Sequence, residues 1–366
     1  MDDADGVTKK YVEDNFATQE DFSAIGILLS LNNIVLLKVV NCNGVPAYGV
    51  TASGIKDANG NDIVIGQDGL VNGICTGTTV TFKAIEMADY TYNISSIKGS
   101  SQRTTVTLPS IENRIIRYNT TTTISFSGIT GKVDVCCVGG GGGGGPVIVD
   151  NFNYGNGVSG YMYGGGGGGG GNIVNQYNII IQPLAPYTLI IGAGGAGSTA
   201  KNVRRSGSST IKIAGGSDGG NTSAFGVIAT GGGGATETVA GYQGNLSNAN
   251  GGSSTNGGKG GNGNCMSASE VYNFTAGTKG EDATGTEFDD GKTYYSGGGG
   301  ATNKNGGSPY GGNGAYSATT PDPVIRNATG YGGGGNADHR AYSNTSGYTG
   351  SGYKGLVAIR LHDATL

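Results

Sequence analysis

Val133-Asp134-Val135-Cys136-Cys137-Val138 runs straight into seven consecutive glycines, Gly139 to Gly145. The first part reads as a strand. The second cannot continue as helix, because each glycine costs up to about 1 kcal/mol relative to alanine there. Working outward, further runs follow at Gly164–Gly171, Gly231–Gly234, Gly297–Gly300 and Gly332–Gly335, and Leu356 to Leu361 closes the chain as an apolar strand. The 366 residues hold 76 glycines, and only 13 of them lie before residue 139. An ordinary helical or α/β domain is excluded from that point on. Collagen is excluded as well, because no Gly-X-Y period exists and proline totals 8. A loose linker does not fit, since Ile179-Ile180-Ile181 and Leu189-Ile190-Ile191 want burial.

Uninterrupted glycine adopts the polyproline II conformation without steric penalty, at three residues per turn. Ordering a run costs about 1–2 kcal/mol per residue, so an isolated one stays disordered. Several runs packed backbone against backbone, with amides paired between neighbours and flanking strands buried, offset that cost. The expected domain over 111–366 is therefore a rigid scaffold of polyglycine II helices and short strands, with Gly139, Gly145, Gly164, Gly171, Gly231, Gly297 and Gly332 marking its runs.

Ahead of it, residues 34–110 alternate valine and isoleucine with polar residues, punctuated by Asn43-Gly44, Asn59-Gly60 and Asp68-Gly69. This predicts a small β-sandwich-like domain. Asp57, Asn59, Asn61 and Asp68 mimic a calcium loop, but Asp62 stands where that loop needs glycine, so a hairpin turn is expected. Residues 1–33 read as a short helix: Phe22, Ile25, Leu28 and Leu29 repeat at helical spacing. It either packs on its own domain or forms a trimeric stalk or a peg into another protein. Met1 is followed by acidic residues, so no signal peptide is expected, and Ile25 to Val40 is too polar to enter a membrane. From residue 139 acids and bases balance, which gives no basic field for nucleic acid. The five cysteines, at 42, 75, 136, 137 and 265, suit neither a metal site nor a disulfide framework and read as small buried thiols.

The strand 133–138 with its glycine run resembles the opening of the glycine-rich domains of tailed-phage fibres. Pro186 to Gly195 and the closing Gly355-Leu356-Val357-Ala358-Ile359-Arg360 resemble them too, and Val7 to Phe16 is similar to the collar segments of phage fibre proteins. The resemblance implies a virion fibre, made in the host cytoplasm and present as a homotrimer. It would attach to other virion proteins through its N-terminal segment, with a tip that binds a host cell-surface receptor, either a glycan or an outer-membrane protein. The glycine runs are fewer and more widely spaced than in T4-like tips, so the alternative, a structural fibre decorating head or tail, stays open.

No enzyme is expected, and no cofactor. Gly192 to Gly197 satisfies G-x-G-x-x-G, but no helical period follows it. The two histidines, His339 and His362, carry no motif and read as exposed, and Asp289-Asp290 reads as a solvated turn. Tyrosine is the better pointer: 15 of 20 lie after residue 138, among Ser, Gly and Asn, a mixture suited to recognition. Tyr154, Tyr161, Tyr163, Tyr294, Tyr295, Tyr310 and Tyr331 are the candidate receptor-binding residues. The competing reading is that their rings cover glycine backbone.

Overall fold

The computed structural model describes residues 33–100, 102–153, 159–199, 203–205, 209–241, 249–263, 265–267, 278–283, 285–289, 292–294, 296–300, 306–312, 327–337 and 349–366. The expected N-terminal helix lies outside them. Among the described residues the regular structure is β, without α-helix.

The first seven strands are β1 (Ile34–Val40), β2 (Thr51–Lys56), β3 (Asp62–Val64), β4 (Leu70–Ile74), β5 (Thr79–Lys83), β6 (Tyr90–Asn93) and β7 (Thr104–Thr107). They join in one sheet, ordered β6-β5-β2-β4-β1-β7 with β3 on β2. The expected sandwich is thus a single sheet wrapped over its own core, with Leu37, Val50, Ile55, Val80 and Phe82 fully buried. β1 reads as a continuous apolar run because it is central, between β4 and β7, and only Lys38 is exposed. The anticipated turns are present: Gly44, Gly60 and Gly69 all have φ between 75° and 82°, where glycine alone is unstrained.

A second sheet, ordered β13-β10-β23-β8, contains β8 (Ile115–Tyr118), β10 (Thr130–Val138), β13 (Ile173–Ile180) and β23 (Leu356–Asp363). On one face Val133, Val135, Cys137, Val357, Ile359 and Leu361 join the same apolar cluster as the first sheet, so a single core runs through both. Glu86 is buried at this junction and accepts the Ser127 N–H, and burial pushes its carboxyl up. A covering layer comes from β9 (Thr122–Ile124), β14 (Tyr187–Leu189), β17 (Thr222–Ala224) and β18 (Val227–Ala229), linked by an Ile190–Ser223 bridge. Alternation at the end of β13 and just after β14 overturns the expected burial of all of 179–181 and 189–191: Ile180 is 74 % exposed and Ile190 48 %. The other face of the second sheet packs Cys136, Val138, Leu356 and Ala358 under Phe288, from the hairpin of β21 (Thr286–Asp289) and β22 (Lys292–Tyr294). Burial pushes the Cys137 thiol up to about 12 and raises Cys136 as well, whereas Cys42, expected to be buried, is exposed.

The glycine runs pack beyond the end of this sheet. Gly139, Gly142 and Gly145 donate their N–H groups to the carbonyls of Asn172, Gly169 and Gly166 at 2.8 Å. Gly140 and Gly143 donate to Gly220 and Ser217, and Gly141 and Gly144 to Tyr353 and Gly350. The donors therefore rotate through three neighbours with a period of three residues. The carbonyls do likewise: Gly140 and Gly143 accept from Gly232 and Ala235, Gly141 and Gly144 from Gly195 and Ser198, and Gly142 from Gly335. Six backbone segments thus surround the 139–145 run, and it is wholly buried. The 164–171 run is equally buried, and it donates in the same rotation to 258–261, 332–335 and 230–233.

Asn172 closes the second run. Its side-chain oxygen accepts the N–H groups of Thr255 and Asn256 at 2.8 and 3.0 Å, and its amide donates to Thr230. Replacing Asn172 by alanine leaves those two N–H groups without a protein acceptor. Because residues 255 and 256 are reached by water, the expected loss is about 1–3 kcal/mol in total. The urea midpoint should fall clearly below that of Asn262→Ala, which removes one exposed bond. Equal midpoints for the two variants would refute the role of Asn172 as a tie.

Candidate functional site

The segments cross the bundle to and fro, which gives it two different ends. At the end carrying the second sheet lie short antiparallel pairs, β17 with β18 and β21 with β22. At the opposite end lie β11 (Ile148–Asn153), β12 (Ser159–Tyr163), β15 (Val203–Arg205) and β20 (Cys265–Ser267), in a sheet ordered β15-β11-β12-β20. Beside it β16 (Ile211–Ile213) pairs with β19 (Thr238–Ala240). The chain departs from the described residues at this same end, after 153, 199, 205, 241, 267, 300 and 337. The far end thus carries short strands, and the near end merges its core with the N-terminal sheet.

The seven tyrosines do not come together. Tyr163 is 2 % exposed and its hydroxyl donates to the Gly241 carbonyl at 2.6 Å, which corrects its reading as a loop-tip contact. Tyr310 lays its ring where a side chain at Gly330 would stand, as the covering reading expects. Tyr294 and Tyr331 flank the second sheet instead of the far end. The Tyr294 hydroxyl accepts from Arg117 at 3.0 Å. The Tyr331 hydroxyl accepts from Asn119 at 3.3 Å, and its ring meets Tyr353 edge to face at 5.6 Å. Tyr161 lies on β12 at the far end. Tyr154 and Tyr295 lie outside the described residues.

The outer segments carry a pattern that reading for uninterrupted runs misses. In 192–197 the exposed residues are Ala193 and Ala196, and in 256–263 they are Asn256, Lys259 and Asn262. Every third residue faces outward, and only there is space for a side chain. G-x-G-x-x-G at 192–197 is accordingly the rim of the bundle: its glycines abut neighbouring backbone, and no helix follows among the described residues. Polar side chains also close the rim. Asp218 accepts the Gly234 N–H at 2.7 Å, Asn221 that of Gly231 at 3.0 Å and Asn262 that of Gly251 at 2.8 Å. These groups prevent the bundle edge from templating further chains.

The calcium-like stretch is a turn, because Asp57 Oδ1 accepts the N–H groups of Asn59 and Asn61 at 2.9 and 2.8 Å. Those bonds, led by Asn61, lower its carboxyl. His362, expected to be exposed, is held between two carboxylates. His339 and Asp290 lie outside the described residues. Glycine runs bracketed by strands 115–118 and 356–363 also frame what comparison with known proteins finds. A family model described as "Glycine-rich domain" matches residues 117–362. No curated protein matches the chain.

Proposed function

We propose, since the chain belongs to the glycine-rich domain family, that it is a bacteriophage virion fibre protein whose glycine-rich end binds a host cell-surface receptor. The observation carrying this reading is the two-ended bundle. One end merges its core with the N-terminal sheet. The other presents short strands, and the connections between glycine segments, on a hydrogen-bonded scaffold, a usual arrangement for recognition. The scaffold reading goes further: the threefold rotation of donors and the six surrounding segments support polyglycine II helices in 139–145 and 164–171. Residues 1–33 attach the protein to other virion proteins, and a homotrimer multiplies weak single contacts by avidity. Balanced charge suits a polar glycan or protein surface.

Among the tyrosines, Tyr161 lies on β12 at the far end, and with the sequence candidate Tyr154 it carries the binding proposal. Purified full-length protein should compete with virions for adsorption to host cells. The double change Tyr154→Ala, Tyr161→Ala should weaken competition by about fivefold or more per ring at an unchanged melting temperature. If the wild-type protein leaves adsorption unchanged, the head- or tail-decorating fibre replaces this reading.

A further inference from the structure

We propose that His362 is a pH-operated clasp, which locks the segment joining the two sheets to the closing strand β23 when protonated and slackens when neutral. His362 Nδ1 lies 2.7 Å from Glu112 Oε1, on the joining segment, and Nε2 lies 3.1 Å from Asp134 Oδ2, on β10. Both carboxylates are fixed by other bonds. Glu112 Oε2 accepts the Asp363 N–H at 3.0 Å. Asp134 is buried, and its Oδ1 accepts the Asn178 N–H at 2.8 Å where β13 departs from regular pairing. Each carboxylate keeps a partner of its own when the ring changes state.

A neutral imidazole has one N–H and a protonated one has two. Only the protonated ring offers a proton to Glu112 and Asp134 together. The neutral ring directs a lone pair at one of them. The charged groups around the ring are Glu112 from the joining segment, Asp134 and the ring's register partner Lys132 from β10, and Arg360 from the ring's own strand. Arg360 lies 3.4 Å from Asp134 Oδ2, so a second basic side chain faces the same carboxylate. Burial of the ring favours the neutral form, yet the hydrogen bond to Glu112 and the nearby Asp134 carboxylate outweigh it and raise the pKa above the ordinary 6.5. The folded value is raised, so the stabilisation is complete below about pH 6.5 and is lost as pH rises through the folded value.

The test reads the ring directly. The chain has two histidines, so His339→Gln leaves His362 as the sole imidazole in NMR spectra of the full-length protein. Its titration midpoint should lie above about 6.5. Adding Glu112→Gln should weaken proton binding by about tenfold. Urea midpoints of wild type and His362→Gln should differ most near pH 6 and converge by about pH 8.5. A midpoint at or below 6.5, or a wild-type advantage that is constant across this range, would overturn the clasp. Should His362→Gln fail to fold, the Glu112→Gln titration decides alone: an unchanged midpoint overturns the proposal.

Discussion

Replacing Gly167 by valine is expected to abolish folding of the glycine-rich domain. A Cβ at this position would lie closer than 3.0 Å to the carbonyl oxygen of Gly299, and backbone cannot step aside as a side-chain tip can. Moving the 296–300 segment away breaks the Gly299–Gly168 bond, and moving 164–171 breaks those from Gly167 to Gly261 and from Gly252 to Gly167. Each buried group left unpaired costs about 1–3 kcal/mol. Several lost together exceed about 5 kcal/mol, comparable to the whole stability of a typical domain. Ala196→Ser, at an outward rim position, should change stability by less than about 0.5 kcal/mol. Limited proteolysis separates the cases: wild type and Ala196→Ser should resist cleavage within 139–171, while Gly167→Val is digested there. A cooperative melt of Gly167→Val near the wild-type temperature would mean that the run is not confined.

Ending the chain at residue 348 is expected to be nearly as damaging. β23 lies between β10 and β8, and its removal exposes two strands at once. Leu356, Val357, Ile359 and Leu361 are fully buried or nearly so, and each contributes about 1.5–3 kcal/mol. The same truncation removes Gly350 and Tyr353, which accept the N–H groups of Gly144 and Gly141. Residues 1–348 should therefore be insoluble or lack a cooperative transition by circular dichroism. Cutting only after Ala364, whose carbonyl holds Asn41 at 2.7 Å, should be silent. A well-folded 1–348 protein would show that the bundle closes without its last segment.

Much of this was legible in the sequence. The strand 133–138, the strand 356–361 and the threefold habit of bare glycine follow from apolar patterning and from the absence of Cβ. The Asn-Gly and Asp-Gly turns were equally plain, because positive φ selects glycine. Neighbour identity was not legible: nothing local in Gly139 says that its partner is Asn172, since a residue without a side chain carries no address. The outward period at Ala193, Ala196, Asn256, Lys259 and Asn262 is visible in retrospect, but it lasts two or three repeats per segment and escapes a search for a long collagen-like repeat. Tyr163 and His362 misled for another reason. Their roles depend on Gly241, Glu112 and Asp134, which lie 78, 250 and 228 residues away in the chain.

The outward period has a consequence for spacing. With the polyglycine II rise proposed above, about 3.1 Å per residue, rim side chains three apart would stand about 9 Å apart along the axis. Ala193 and Ala196, or Asn256, Lys259 and Asn262, are then rungs of a ruler with pitch set by backbone geometry; identity is left open at the alanines, whereas Asn256 holds Ile173 and Asn262 holds Gly251. Chemical groups installed at those rungs would form a rigid array of known separation, on a frame whose hydrogen bonds do not pass through them where the side chain makes none, as at alanine.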